Sequence, residues 1–296
     1  MKRPVFSLDA LAWGGLVLLS LIWGSSFILI KRGVEVYPPG VVGGLRVALA
    51  GVALLPFALY SLRKIPRQRW RFLVVVGFFG NLLPAYFFSK AETQLSSSVT
   101  GVLNALTPLC VLLVGVMLFA QPFRMRKLYG LLLAFGGAVA LAWLGGGQHT
   151  DWTANAYALY VLLATLCYGI SANTIKFRLQ GLSAVEIASS AFLTMLPLAL
   201  GYLAFSDFGT VLSTHPQAWR ALGFITILAV VGTAFALLIF NYLIQIKSPV
   251  FATTVTYLIP IVAIAWGVND GETLVWGQLI AIVVILLGVY WTSKAR

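Results

Sequence analysis

Acidic residues are scarce in this sequence. Eight Asp and Glu stand against 20 Lys and Arg in 296 residues, and charged residues make up only 9% of the chain. An ordinary soluble domain carries roughly a quarter charged residues, so this chain lacks the groups to cover a water-exposed surface. There are two cysteines, Cys110 and Cys167, both inside apolar runs. That number and placement disfavour a disulfide framework and read as small packing residues. The two histidines, His149 and His215, fall in loop-like stretches outside any HExxH pattern, so a zinc protease is unsupported and no metal site is expected. There is no P-loop for ATP hydrolysis and no aspartate pair inside an apolar run. An enzyme is therefore disfavoured, and no cofactor is expected.

What the sequence has in quantity is apolar residues, 60% of the total. Ten stretches nearly free of charge run at approximately 10–30, 39–60, 71–89, 95–120, 127–145, 154–175, 184–205, 219–243, 249–268 and 273–293. Crossing roughly 30 Å of hydrocarbon takes about 20 helical residues, so each is a candidate membrane span and little is left for a soluble domain. Helices are expected rather than a barrel, because the stretches lack the alternating pattern of barrel strands. The first stretch follows Lys2 and Arg3, is too long for a signal peptide and lacks a small-residue cleavage site, so it is read as a retained span.

The formal net charge of +12 raises the question of nucleic acid. With the N-terminus placed in the cytoplasm, fifteen Lys and Arg fall in inner segments, four (Lys31, Arg32, Lys90, Arg220) in outer ones, and Arg46 inside a span. That bias follows the positive-inside rule with both termini cytoplasmic. The basicity is topological, and no nucleic-acid partner is expected.

The ten stretches contain an internal repeat. Trp23-Gly24-Ser25-Ser26 through Lys31 aligns with Tyr168-Gly169-Ile170-Ser171 through Lys176. Gln68 to Arg71 aligns with Gln217 to Arg220, Thr107-Pro108 with Ile259-Pro260, and Gln121 with Glu272, all in the same order. The expected architecture is all-α: ten transmembrane helices in two five-helix repeats, 1–148 and 149–296, around a central cavity. Because five is odd, the second repeat is inverted, an arrangement that gives a transporter two conformations of similar energy.

Several of these residues carry a family resemblance. Trp23 to Phe27 with Lys31, Arg46 in span 2, "LNALTPLCVLL" in span 4 with "VTYLIPIVAIAWG" in span 9, and the Glu272-to-Ala281 spacing together resemble the EamA branch of the drug/metabolite transporter superfamily. The resemblance covers nearly the whole chain. It implies ten helices in inverted halves and a substrate cavity lined mainly by spans 1, 3, 4, 6, 8 and 9. Bacterial exporters of amino acids and related metabolites, including aromatic amino acids, are the members it resembles most. Two positions depart from the family pattern: Gln121 replaces a glutamate and Ala281 a glycine. Small multidrug-resistance pumps, distant relatives, depend on a glutamate within the membrane, and no Asp or Glu lies near any span centre here. A lipophilic-cation antiporter is disfavoured for that reason.

Candidate site residues follow from polar and aromatic groups at mid-span. Trp23 and its repeat partner Tyr168 lie at matching depths and would face one another across a cavity; core packing is the alternative. Ser26 and Ser171 are small polar residues of the same two spans. Pro84, Pro108 and Pro260 each remove a backbone hydrogen bond and are candidate hinges. Asn81 precedes Pro84, Gly101 and Asn104 precede Pro108, and Thr253, Thr256 and Tyr257 precede Pro260 at helical spacing. Arg46 is the one charge clearly inside a span and is read as structural, with binding of a substrate carboxylate as the alternative. Lys31 and Lys90 are placed at the outer interface. The expected protein is an inner-membrane secondary transporter, monomeric, contacting lipid and a small-molecule substrate; efflux of neutral amphiphiles is the alternative function.

Overall fold

The computed structural model describes residues 8–121, 126–144, 152–246 and 255–294. Among these every regular element is a helix, the structure that lets apolar sequence pair its own amides in hydrocarbon. Helix α1 (Leu8–Gly24) continues past a break at Ser25 as α2 (Ser26–Val34), and α3 is Pro39–Ser61. A π-helical turn, Phe78–Leu82, joins α4 (Trp70–Gly77) to α5 (Leu83–Ala91). Then come α6 (Ser97–Asn104), α7 (Thr107–Phe119) and α8 (Arg126–Leu144). The second half contains α9 (Trp152–Arg178), α10 (Ala184–Ala204) and the short α11 (Phe208–Thr214). A second π-turn, Val230–Phe235, joins α12 (Ala218–Ala229) to α13 (Ala236–Ile246), and α14 (Val255–Asn269) and α15 (Trp276–Lys294) follow.

Seven helical rods among the described residues are long and apolar enough to cross a membrane, and three shorter apolar helices lie within α8, α14 and α15. Local sequence sets their ends. The Ser96 hydroxyl accepts from the Val99 amide at the start of α6, and Ser183 with Glu186 forms a capping box at the start of α10.

Helix pairing follows the repeat. Helix α3 packs on α10 and α8 on α15, joining equivalent helices of the two halves, while α7 on α9 corresponds to α14 on α1. One hydrophobic core draws on both halves, with Leu19, Phe27, Phe88, Leu103, Val161 and Ile259 among its buried members. Small residues permit the close crossings: a Cβ on Gly169 would lie 2.8 Å from the Cys110 carbonyl oxygen, and one on Gly288 would lie 2.4 Å from the Ala134 nitrogen. Large apolar side chains such as Met117 and Leu118 stay outward, as expected for a lipid-facing surface, with exposed Trp219 and Trp276 at helix ends.

Helices α7 and α14 end alike. Ala120 (φ 50°) and Gly271 (φ 88°) are left-handed, and the next amides, of Gln121 and Glu272, donate back to the Gly115 and Gly267 carbonyls at 3.0 and 2.9 Å. Glycine adopts that backbone freely, whereas alanine is strained there by about 1–2 kcal/mol. Ala120→Gly is therefore expected to stabilise the fold by about 1 kcal/mol once glycine's greater unfolded-state entropy is subtracted. A rise in thermal midpoint in detergent checks this.

Candidate functional site

The two π-turns occupy equivalent places in the repeat, placing Asn81 and Thr233 at matching positions. Their causes differ. In the first, Pro84 has no amide to offer the Gly80 carbonyl, and the chain closes instead through the wider bond from Leu83 to Phe78. In the second, the Thr233 hydroxyl donates to the Leu228 carbonyl (3.1 Å), while the Trp23 indole N–H donates to the Gly232 carbonyl (3.1 Å) from the opposite half. Such bulges in helices occur frequently at functional sites.

Arg46 sits among these elements. Its Nε donates to Thr233 Oγ1 at 3.2 Å, and its guanidinium lies within reach of the Tyr168 hydroxyl. Arg46 is half-buried and has no ion-pair partner among the described residues. Aromatic rings surround this level: Trp23 against Phe240 (5.3 Å between centroids), Phe88 against Tyr168 (6.0 Å) and Phe27 against Phe88 (5.9 Å). A cation held by neutral acceptors and set among aromatic rings can bind an anionic group carried by an apolar body.

At the Lys31 end the helices are tied by charge. Lys31 bridges Asp270 (2.7 Å) and Glu272 (3.1 Å), and Arg32 pairs with Asp270 and with Glu35. Glu272 also accepts from the Ser97 amide (2.9 Å), the Ser98 amide (3.1 Å) and the Ser98 hydroxyl (2.6 Å), capping α6 from the other half. Burial pushes the Glu272 carboxyl up, but these bonds, Ser98 and Lys31 foremost, more than offset it and hold the group below its ordinary carboxylate range. Lys31 is thus a latch residue between the halves rather than a free interfacial lysine.

The opposite end carries the neutral counterpart. Gln121 Nε2 donates to Asn173 Oδ1 (2.6 Å), and Asn173 Nδ2 donates to the Val111 and Gly169 carbonyls (2.9 Å each). Here the departure from a glutamate has a consequence: a neutral amide pair joins Gln121 of the first half to Asn173 of the second, where the Lys31 end has ions between the halves.

Several residues expected at the site do meet. Trp23, Arg46 and Tyr168 converge with Thr233, and Ser171 faces Gly80, where an added Cβ would lie 2.4 Å from its hydroxyl. Others are occupied locally. Ser26 donates to the Ile22 carbonyl, and Gly101 is a crossing residue packed on Ala263 and Phe27. Pro108 removes the amide that Asn104 would bond, and Thr107 Oγ1 donates to that carbonyl at 2.7 Å, so α6 and α7 break there. Pro260 sits inside an unbroken α14, Pro84 follows the π-turn, and Asn81 and Thr256 are half-buried on their helices. Tyr257 is placed only by its backbone on α14, and Thr253 lies outside the described residues. A cleft of about 330 Å3 opens beside the charged latch, between Arg32, Glu35, Gln217, Arg220 and Phe224, away from the mid-depth residues. Thr233, the π-turns and the latch were not anticipated from sequence. The offset that pairs Pro108 with Pro260 also pairs Asn81 with Thr233, and would have pointed to the latter.

Comparisons with known proteins agree with this architecture. The EamA-like transporter family matches residues 11–143 and again 155–294. The chain is 29% identical to the uncharacterized inner membrane transporter YedA of Escherichia coli (strain K12), over 96% of this chain and 91% of that one. It is 23% identical to a probable amino-acid metabolite efflux pump of Salmonella typhimurium, over 93% and 92%. A solved protein crystal structure superposes with a TM-score of 0.60 at 18% identity, covering 95% of this chain and 96% of the other, a likeness of fold.

Proposed function

Because the chain belongs to the EamA-like transporter family, we propose that it is an inner-membrane secondary exporter of amino acids, aromatic and other hydrophobic ones foremost. In this reading ten spans form two inverted halves, 1–148 and 149–296, with both termini cytoplasmic. They rock around a mid-depth site in alternating access. One observation carries the substrate class: Arg46 is a cation at bilayer depth that donates to a neutral hydroxyl oxygen and has no carboxylate within ion-pair distance among the described residues. An intramembrane arginine is costly unless solvated or paired, and the carboxylate of an amino acid would pair it. Trp23, Phe88 and Tyr168 would take the apolar side chain, and Thr233 and Asn81 the ammonium group. The amino-acid efflux pump among the relatives supports the same class.

The test is counterflow of labelled amino acids in liposomes containing only this protein, with competition across the amino acids and their amides, which keep the ammonium group but lack the carboxylate. Saturable exchange of free amino acids supports the reading; flux of neutral amphiphiles alone overturns it. In the same assay Trp23→Ala is expected to lower transport about tenfold, the scale of one hydrogen bond and a ring contact, with the fold retained. Pro108→Ala restores the missing amide, stiffens the α6–α7 break and is expected to slow turnover more than it weakens substrate affinity, read as a fall in kcat at nearly constant KM.

A further inference from the structure

Glu92 plays no part in the latch, although it lies immediately beyond the outer end of α5. It is 4% exposed, and neither carboxylate oxygen has a hydrogen-bond partner among the described residues. Two further buried hydroxyls without partners, Ser97 Oγ and Thr100 Oγ1, follow it within the same stretch of chain. Charged groups act on it from three neighbouring elements: Lys31 of α2, whose ammonium is engaged by Asp270 and Glu272; Arg46 of α3; and Glu272 on the loop after α14. Lys90, on its own helix, lies over the Tyr157 ring, 5.5 Å from the centroid. A carboxylate with no donor at full hydrogen-bond geometry, only the Lys31 backbone N–H near it, and sealed from water beside another carboxylate, is costly to keep ionised, whereas the neutral acid can donate its proton to a nearby oxygen.

We propose that Glu92 is a proton-binding site of the outer gate: closing the outer side takes up one proton from the external medium onto its carboxylate, and opening releases it. The proposal rests on the transport reading for its purpose but not for its test. Burial first, and the Glu272 charge second, hold the closed-state Glu92 carboxyl well above its ordinary range, against the opposing pull of Lys31 and Arg46. Water reaching it in the open state returns it towards an ordinary value near 4.3. Between these two values the closed state binds one more proton than the open state, so closure weakens by up to about tenfold for each pH unit of external alkalinisation. Glu272 acts with the opposite sign, since its depressed value means the latch is lost only as pH falls through it. Outer closure should therefore be greatest at intermediate pH.

The experiment uses the full chain in nanodiscs, with Cys110 and Cys167 replaced by alanine and spin labels at Gln94→Cys, on the loop after α5, and Ser213→Cys, on α11 of the other half. Across the alkaline side of the range, the closed-distance population is expected to shrink with rising pH, and Glu92→Gln, which mimics the protonated acid, is expected to remain closed throughout. A closed population independent of pH, or a Glu92→Gln variant with the same dependence, overturns the proposal. Infrared spectra of the unsubstituted protein provide a second reading, free of any folding defect in the variant. A protonated carboxylic acid band at neutral pH that Glu92→Gln removes supports the site, and the absence of such a band overturns it. Neither measurement needs a substrate, so failure of amino-acid counterflow would leave this result standing on its own.

Discussion

Arg46→Gln is expected to reduce the transport efficiency for free amino acids by at least about thirtyfold, with only a small change in thermal midpoint. Glutamine keeps a polar group of comparable reach towards Thr233 Oγ1, now held by Arg46 Nε at 3.2 Å, but loses the positive charge. If a substrate carboxylate pairs with the guanidinium, removing one partner of that hydrogen-bonded pair costs about 2–5 kcal/mol, or roughly thirty- to several-thousandfold. Arg46→Lys should be intermediate, because a lysine keeps the charge but not the planar fork that grips both carboxylate oxygens. Amino-acid amides separate binding from scaffolding. They lack the carboxylate, so wild type and Arg46→Gln should handle them nearly equally. Equal losses for acid and amide would instead assign Arg46 to helix packing, the role its position in the sequence first suggested.

Much of the scaffold was readable from the chain because it follows from composition and repetition. Charge-free runs of the right length can be only so many things in a membrane, and each predicted stretch contains a helix. The Pro108 and Pro260 pairing located equivalent helices, but not their different local outcomes. Pro108 breaks its helix because Thr107 takes up the freed Asn104 carbonyl, whereas α14 runs unbroken through Pro260. That distinction depends on a neighbouring hydroxyl and is invisible to proline spacing. The latch was hidden for a related reason. Lys31, Glu272 and Ser98 are far apart in sequence and come together only where the two halves meet. The π-turn at Val230–Phe235 contains no proline. It depends on the Thr233 hydroxyl and on an indole contributed from the other end of the chain.

The same asymmetry between the two ends leads to the second large effect. Glu272 gathers two amides, one hydroxyl and one ammonium from the opposite half, and a glutamine there would turn an N–H group towards donors. Losing charge-assisted bonds at this partly buried position is expected to cost the outer-closed state about 2 kcal/mol, so Glu272→Gln should raise the outward-open population roughly thirtyfold. At the opposite end, Gln121 of the first half holds Asn173 of the second by one neutral bond of 2.6 Å. Gln121→Leu removes a single neutral contact between the halves worth about 1 kcal/mol, so it should change the populations by no more than about fivefold. Spin-label distances at the outer loops read both variants on one scale. In the proposed orientation, with the Lys31 end outside, a chain closed there by ions and held at the other end by one amide pair should rest closed to the outside, the state from which the proposed export would start. Equal shifts from the two substitutions, or no shift from Glu272→Gln, would show that the charges at the outer end do not set the resting state.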